Sequence, residues 1–360
     1  MAGFRLVYVV TSVVPLAVGY IDLEASNKRC SRAVPAATID PAPSRYKIWT
    51  KSSLHVIRSS EAASRIRSQI AIELGMTNGY VFREYIGAQF TGVQFSEVPI
   101  NAGVSFHFIL AFAIDYLASQ SSPPTPTNGA FNPFWDTENL SAAAISATKA
   151  AHPNLSIMVS LGGDTVQNTG VNATFAPSSV DSWVDNAVSS LSAMINQYGL
   201  DGVDVDYEHF GTADVDTFVE CMGRLLTQLK ASFPNIVTSI APFERGDVQK
   251  YYQALWSKYS GVIDYVNFQF YGYGANTVVD YYVMFYNTQQ ANYPGAKVLA
   301  SFKTGDVTGL LSPEQGISAA QELQKQDKLP GLFIFSADSS KNSTYGFEYE
   351  TRAQEIIANH

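Results

Sequence analysis

With 360 residues and 46% hydrophobic content, the chain is long enough to bury a large globular core. A formal net charge of −9 disfavours nucleic acid as a partner and suits an uncharged polar polymer such as a glycan. The 2 cysteines, Cys30 and Cys221, form neither a zinc spacing nor a disulfide framework.

The first 80 residues differ from the rest. They hold 10 Lys and Arg against 5 Asp and Glu, a net of +5, which leaves 13 and 27, a net of −14, for the remainder. Leu6–Ile21 is an apolar run with Arg5 before it and Pro15 within it. It is too short for a stable membrane span. It matches a signal-peptide core, although no small-x-small cleavage site follows. Ser26 to Ser68 is rich in Ser, Ala, Pro and Arg, a composition that predicts low order, with a short helix near Glu61–Leu74. The expected division is an extension over 1–80 and a folded body over 81–360.

From Phe82 onward, strand-like apolar runs alternate with helical patterns. Strands are expected at Arg83–Gly87, Val104–Phe112, Leu155–Leu161, Gly202–Glu208, Val237–Ala241, Tyr265–Tyr271, Lys297–Phe302 and Gly331–Phe335. Helices are expected at Thr137–Ala151, Val180–Tyr198, Val215–Ser232, Asp247–Tyr259, Val278–Ala291, Pro313–Gln326 and Tyr349–Ala358. This alternation predicts an α/β chain folded as a (β/α)8 TIM barrel. A doubly wound sheet is the alternative, and no nucleotide fingerprint follows the first strand to favour it. Ser121–Phe134, with Pro123, Pro124 and Pro126, reads as a surface loop near the site. Cys221 falls in a helical pattern and reads as a buried thiol. The 5 histidines form no ligand pattern, so neither metal nor cofactor is expected.

The run Asp201-Gly202-Val203-Asp204-Val205-Asp206-Tyr207-Glu208 carries the chemistry. On a strand successive side chains alternate faces, so Asp204, Asp206 and Glu208 point the same way. Like charges stacked about 6–7 Å apart destabilise a fold unless protons are shared, and such columns are more often catalytic than structural. A calcium loop would use Gly and polar residues between its ligands. Val203 and Val205 argue against that reading, and against a solvated acidic edge. In a barrel the active face is the C-terminal end of the strands. Glu208 is therefore expected at the mouth, Asp206 a layer below and Asp204 deeper, with Asp201 structural at the strand entrance. Upstream, Leu155–Leu161 ends in Gly162 and Gly163, whose small size lets a sugar or a neighbouring side chain come close.

The D-x-x-D-x-D-x-E run and the S-x-G-G before it resemble those of the family 18 glycoside hydrolases, the chitinases, and most closely the plant class III-related, bulb-type group. The resemblance covers roughly residues 81–360. It implies a retaining, substrate-assisted mechanism, an exception to the two-carboxylate scheme. In this reading Glu208 is the general acid, held protonated by the nearby charge of Asp206. Asp206 takes the acetamido N–H, and Asp204 shares a proton with Asp206. Tyr271 holds the acetamido carbonyl oxygen, supported by Gln269. Tyr85 and Phe112 match pocket-lining positions of the family, with ordinary barrel core as an equal alternative. Where the family commonly has Trp at the end of strand eight, this chain has Phe335, which still offers a stacking face.

The activity implied is an endo-acting chitinase on β-1,4-linked N-acetylglucosamine polymers. The alternative is a weak or silent barrel acting as a lectin, storage protein or inhibitor. A third reading, an endo-β-N-acetylglucosaminidase, shares the same chemistry. Expected partners are chitin or its oligosaccharides, with no nucleic acid and no stable membrane span, and the chain is expected to be a monomer. Sequons at Asn139, Asn154, Asn172 and Asn342 permit a secreted or vacuolar destination. For residues 1–80, three readings stay open: a targeting segment, a family-specific extension, or a reading-frame error.

Overall fold

The computed structural model describes residues 79–117 and 123–359, the side chain of Asn168 excepted, and the backbone of Leu6–Val9 and Val18–Ile21. The chain divides into two compact units, Met1–Leu54 and His55–His360. In the first, Leu6–Val9 pairs antiparallel with Val18–Ile21, so the apolar run expected as a signal core contains a two-stranded ribbon. The helix expected near Glu61–Leu74, and Cys30, lie outside the described residues.

The second unit is an eight-stranded parallel barrel. Its strands are β1 (Val81–Ile86), β2 (Ser105–Ile114), β3 (Leu155–Gly163), β4 (Gly202–Tyr207), β5 (Val237–Ile240), β6 (Tyr265–Val266), β7 (Ala300–Lys303) and β8 (Gly331–Phe335). Hydrogen-bonded neighbours run β6-β5-β4-β3-β2-β1-β8-β7. A parallel bridge from Val266 to Val298 closes the ring. The helices that cover it are α1 (Ala142–Ala151), α2 (Val180–Tyr198), α3 (Val215–Ser232), α4 (Gly246–Tyr259), α5 (Val279–Asn292), α6 (Pro313–Lys325), the short α7 (Ala337–Lys341) and α8 (Glu348–Ala358).

Alternation along the strands sorts the side chains into two compartments. On β4, Val203, Val205 and Tyr207 point outward and join the large core between sheet and helices. A smaller apolar cluster, including Val81, Tyr85, Ile109, Met158 and Phe333, fills the inside of the barrel. Caps set the helix starts. Ser179 accepts from the Ser182 N–H before α2, Asp214 from Thr217 before α3, and Ser312 forms a capping box with Gln315 before α6.

Several elements differ from the sequence expectation, three of them with a clear local cause. The helix expected from Thr137 starts at Ala142, because Ser141 caps it and Asp136 ties Asn139 into a preceding turn. The sixth strand ends at Val266, and Phe270–Tyr273 forms a 3-10 turn. There the Ser301 hydroxyl takes over from the ladder, accepting from the Phe270 N–H at 2.9 Å and donating to the Phe268 carbonyl at 2.7 Å. Within the proline-rich loop, Asn132 and Pro133 pair antiparallel with the end of β2, which places Phe134 in the wall of the cleft. Cys221 is buried in α3, and burial pushes its thiol up to about 12.

Candidate active site

The acid column lies inside the barrel along β4. Asp204 is fully buried, Asp206 is 4% exposed, and Glu208 stands half-buried at the mouth. Asp204 receives four hydrogen bonds, two on each oxygen. Tyr85 and Ser160 donate to Oδ2, both at 2.8 Å, and Ser239 (2.6 Å) and Asn267 (3.0 Å) to Oδ1. These donors come from β1, β3, β5 and the end of β6, so the deepest acid ties four staves of the barrel together.

A buried cation stands behind this network. Arg83 on β1 is fully buried, and its Nη1 donates to Ser239 Oγ at 2.7 Å and to Asn267 Oδ1 at 3.2 Å. The guanidinium also lies over the Tyr265 ring at 4.3 Å, a cation–π contact. Burial pulls its pKa below the ordinary value, and Asp204 opposes that shift.

One layer up, Gln269 connects two of the expected residues. Its Nε2 donates to Asp206 Oδ1 and to the Ala241 carbonyl, both at 3.0 Å, while its Oε1 accepts from the Tyr271 hydroxyl at 2.9 Å. Tyr271 itself sits in the 3-10 turn after β6. Burial, and then the charges of Glu208, Asp204 and Asp164, hold Asp206 well above the usual carboxylate range. Glu208 is pushed up to about 7, first by burial and then by Asp164. The sequence expectation attributed that rise to Asp206; dehydration at the barrel mouth is the larger cause.

The column opens into a cleft of about 490 Å3, lined among others by Asp206, Glu208, Gln269, Tyr271, Phe112 and Phe335. Phe335 and Phe112 are half-buried in its wall. Tyr85 instead packs beneath it, with its ring 5.7 Å from that of Phe335 and its hydroxyl on Asp204. Gly162 and Gly163 lie outside the wall. A Cβ on Gly162 would come within 3.0 Å of the Tyr207 ring, and one on Gly163 within 2.9 Å of the Phe112 ring. Both have positive φ, 99° and 82°, so glycine is required for backbone conformation as well as space. What these glycines admit is a pair of aromatic side chains. Asp201 accepts from the Ile157 N–H at 2.9 Å and pairs with Lys149 at 2.7 Å, fixing the entrance to β4.

Sequence reasoning missed several groups. Asp164, Glu244 and Lys303 bring charge to the cleft wall, and Asp164 also pairs with His209 at 2.8 Å. Asp164 directly follows Gly163, so its place at the end of a strand was a usable signal. Arg83, Ser239 and Asn267 were signalled only as polar residues inside apolar runs. Among the described residues, no group of three or more His, Cys, Asp or Glu side chains is arranged to hold a metal ion.

Comparison with known proteins accounts for this architecture. The model of the glycosyl hydrolases family 18 matches residues 90–338. The chain belongs to glycosyl hydrolase family 18. It is 54% identical over 286 residues to "Chitinase 1" of Tulipa saxatilis subsp. bakeri, covering 79% of this chain and 89% of that relative. Among solved structures of the family, the catalytic domain of a chitinase from the fern Peteris ryukyuensis is 53% identical with a TM-score of 0.72, covering 77% of this chain and 99% of the fern domain. A family 18 chitinase from Crocus vernus is 45% identical with a TM-score of 0.73 and the same coverage. The match thus spans the barrel that carries the acid column. Among the described residues, no helix is long and apolar enough to cross a membrane.

Proposed function

We propose that the chain is an endo-acting chitinase that hydrolyses β-1,4-linked N-acetylglucosamine polymers with retention, using the substrate's own acetamido group as nucleophile. The observation that supports this most is the acid column itself, with Glu208 raised to about 7 at the open rim above Asp206 and Asp204. A carboxyl poised near neutral pH is matched to general-acid work.

Glu208 donates its proton to the glycosidic oxygen as the C1–O bond breaks. The acetamido carbonyl oxygen closes onto C1 to give an oxazolinium ion. Asp206 accepts the acetamido N–H and stabilises the positive charge. Tyr271 turns its hydroxyl from Gln269 to the acetamido oxygen, and Gln269 keeps Asp206 in place. Water then attacks C1 from the face the leaving group vacated, returning one proton to Glu208. Asp204, with two hydrogen bonds on each oxygen, anchors the column beneath Asp206. Phe335 forms an apolar face for the sugar ring. Secretion or vacuolar delivery fits such a substrate, and the sequons at Asn139, Asn154 and Asn172 are compatible with it.

The test is Glu208→Gln, assayed on chitin oligomers with detection of the product anomer. The wild type should release the β-anomer. The variant should lose about 100- to 10,000-fold in turnover while oligosaccharide binding and Tm stay close to wild type. A variant with near wild-type turnover, or a wild type that releases the α-anomer, would overturn the assignment.

A further inference from the structure

A second cavity opens on the same rim of the barrel. Its volume is about 640 Å3, within the range of ligand sites. It lies over the C-terminal ends of β7 and β8, and Gln89 and Lys303 line both it and the cleft of Glu208. The two spaces therefore share a wall.

That wall is fixed. The Gln89 backbone N–H donates to Asp338 at 3.3 Å and its Nε2 to Ser339 at 2.8 Å. The Gly87 N–H (2.6 Å) and the Thr91 hydroxyl (3.1 Å) donate to the same buried Asp338 carboxylate.

The charges around the groove cancel. Arg352 forks onto Glu314 at 2.6 and 2.9 Å. The Thr308 N–H and hydroxyl, with Lys303 close by, hold Asp306 below the usual carboxylate range. Such a lining selects neither an anion nor a cation. What remains is neutral hydrogen-bonding groups beside an aromatic face. Tyr345 is 59% exposed, and its ring stands 5.4 Å from the buried Tyr349. An aromatic face next to hydroxyls and amides suits a pyranose, which presents C–H faces and a hydroxyl rim.

We propose that this groove is a second oligosaccharide subsite, holding the part of a long β-1,4-linked N-acetylglucosamine chain that extends past the catalytic cleft, with Tyr345 as its stacking face. The proposal rests on the chitinase reading above. It makes the enzyme prefer long chains, because short oligomers fill the cleft alone.

The full chain, made in a host that does not glycosylate, provides the test; the sequon Asn342-Ser343-Thr344 lines the same groove, and a glycan there would occupy it. Two variants are compared with wild type. Tyr345→Ala removes the face, and Thr344→Trp fills the space from an exposed position. On a soluble long-chain substrate, each should raise KM by about three- to tenfold with kcat unchanged. On the trimer and tetramer, kcat/KM should stay within about twofold of wild type. Long and short substrates changing together, or neither changing, would overturn the groove proposal while leaving the chitinase reading intact. A wild type that cleaves no substrate of either length would refute the chitinase reading itself.

Discussion

Asp164 is the strongest charge acting on the proposed general acid, and it makes a prediction separable from catalysis itself. Its carboxylate is 66% exposed and paired with His209, yet after burial it is the largest influence raising Glu208. Asp164→Asn removes that negative charge. Glu208 should then ionise at lower pH, and the alkaline limb of the kcat/KM profile should move acidward from about 7. The move should be less than about one unit, because solvent screens so exposed a charge. A limb that stays in place would leave burial and the charge of Glu244 as the causes. At this scale the acid column was legible, because period-two alternation in one short window places Asp204, Asp206 and Glu208 on one face. The network beneath it was not. Arg83 reaches Ser239 and Asn267 across 156 and 184 residues of sequence, and no local window joins them. The role of Gly162 and Gly163 was legible only as a need for space; the occupants, Tyr207 and Phe112, come from other strands.

At the level of elements, the outward face of β1 carries a second set of acids. Glu84 is fully buried, and neither of its carboxylate oxygens has a hydrogen-bond partner. Burial, and then Glu350 on α8 and Asp338 on α7, hold it well above the usual carboxylate range. Glu350 is itself pushed up to about 7 by burial, with Ser340 donating to it. Both pKa values are higher in the folded chain than in the unfolded one. Their contribution to stability is therefore fully present below about pH 4.3 and is lost as pH rises through the folded values. Glu84→Gln should raise Tm by about 2–4 °C at pH 8, as expected for roughly 1 kcal/mol in a domain of this size, and change it little at pH 4. An equal shift at both pH values would mean packing, and not ionisation, sets the cost. Strand positions were legible from apolar runs bounded by turns, and Gly331–Phe335 is observed with the expected bounds. The sixth strand was read too long because Asn267–Tyr271 keeps an apolar alternation while Ser301, from another strand, ends the ladder. A side-chain hydrogen bond of this kind competes with the sheet and leaves no periodic trace.

For the whole molecule, the described residues from Val81 onward close the barrel ring. β1 starts at Val81, pairs with both β2 and β8, and the ring closes between Val266 and the Val298 segment. The Tyr80 carbonyl accepts from the Ser105 N–H at 2.9 Å, so among the described residues the first backbone group used by the barrel lies just before that strand. The fern domain is of a size to match the body alone, since 77% of this chain covers 99% of it. The charge balance points the same way, with +5 over residues 1–80 and −14 over the remainder. We propose that residues 1–80 are an extension dispensable for catalysis and that the body folds by itself. A truncated chain starting at Gly79 should be soluble and unfold cooperatively. It should hydrolyse chitin oligomers with kcat and KM within about twofold of the full chain, because every described residue of the cleft is kept. If it is insoluble or inactive while the full chain is active, the N-terminal residues contribute to the barrel's stability and the boundary lies elsewhere. If it folds with the same Tm but cleaves long chains less well than short ones, the extension binds polymer and is itself part of the substrate surface.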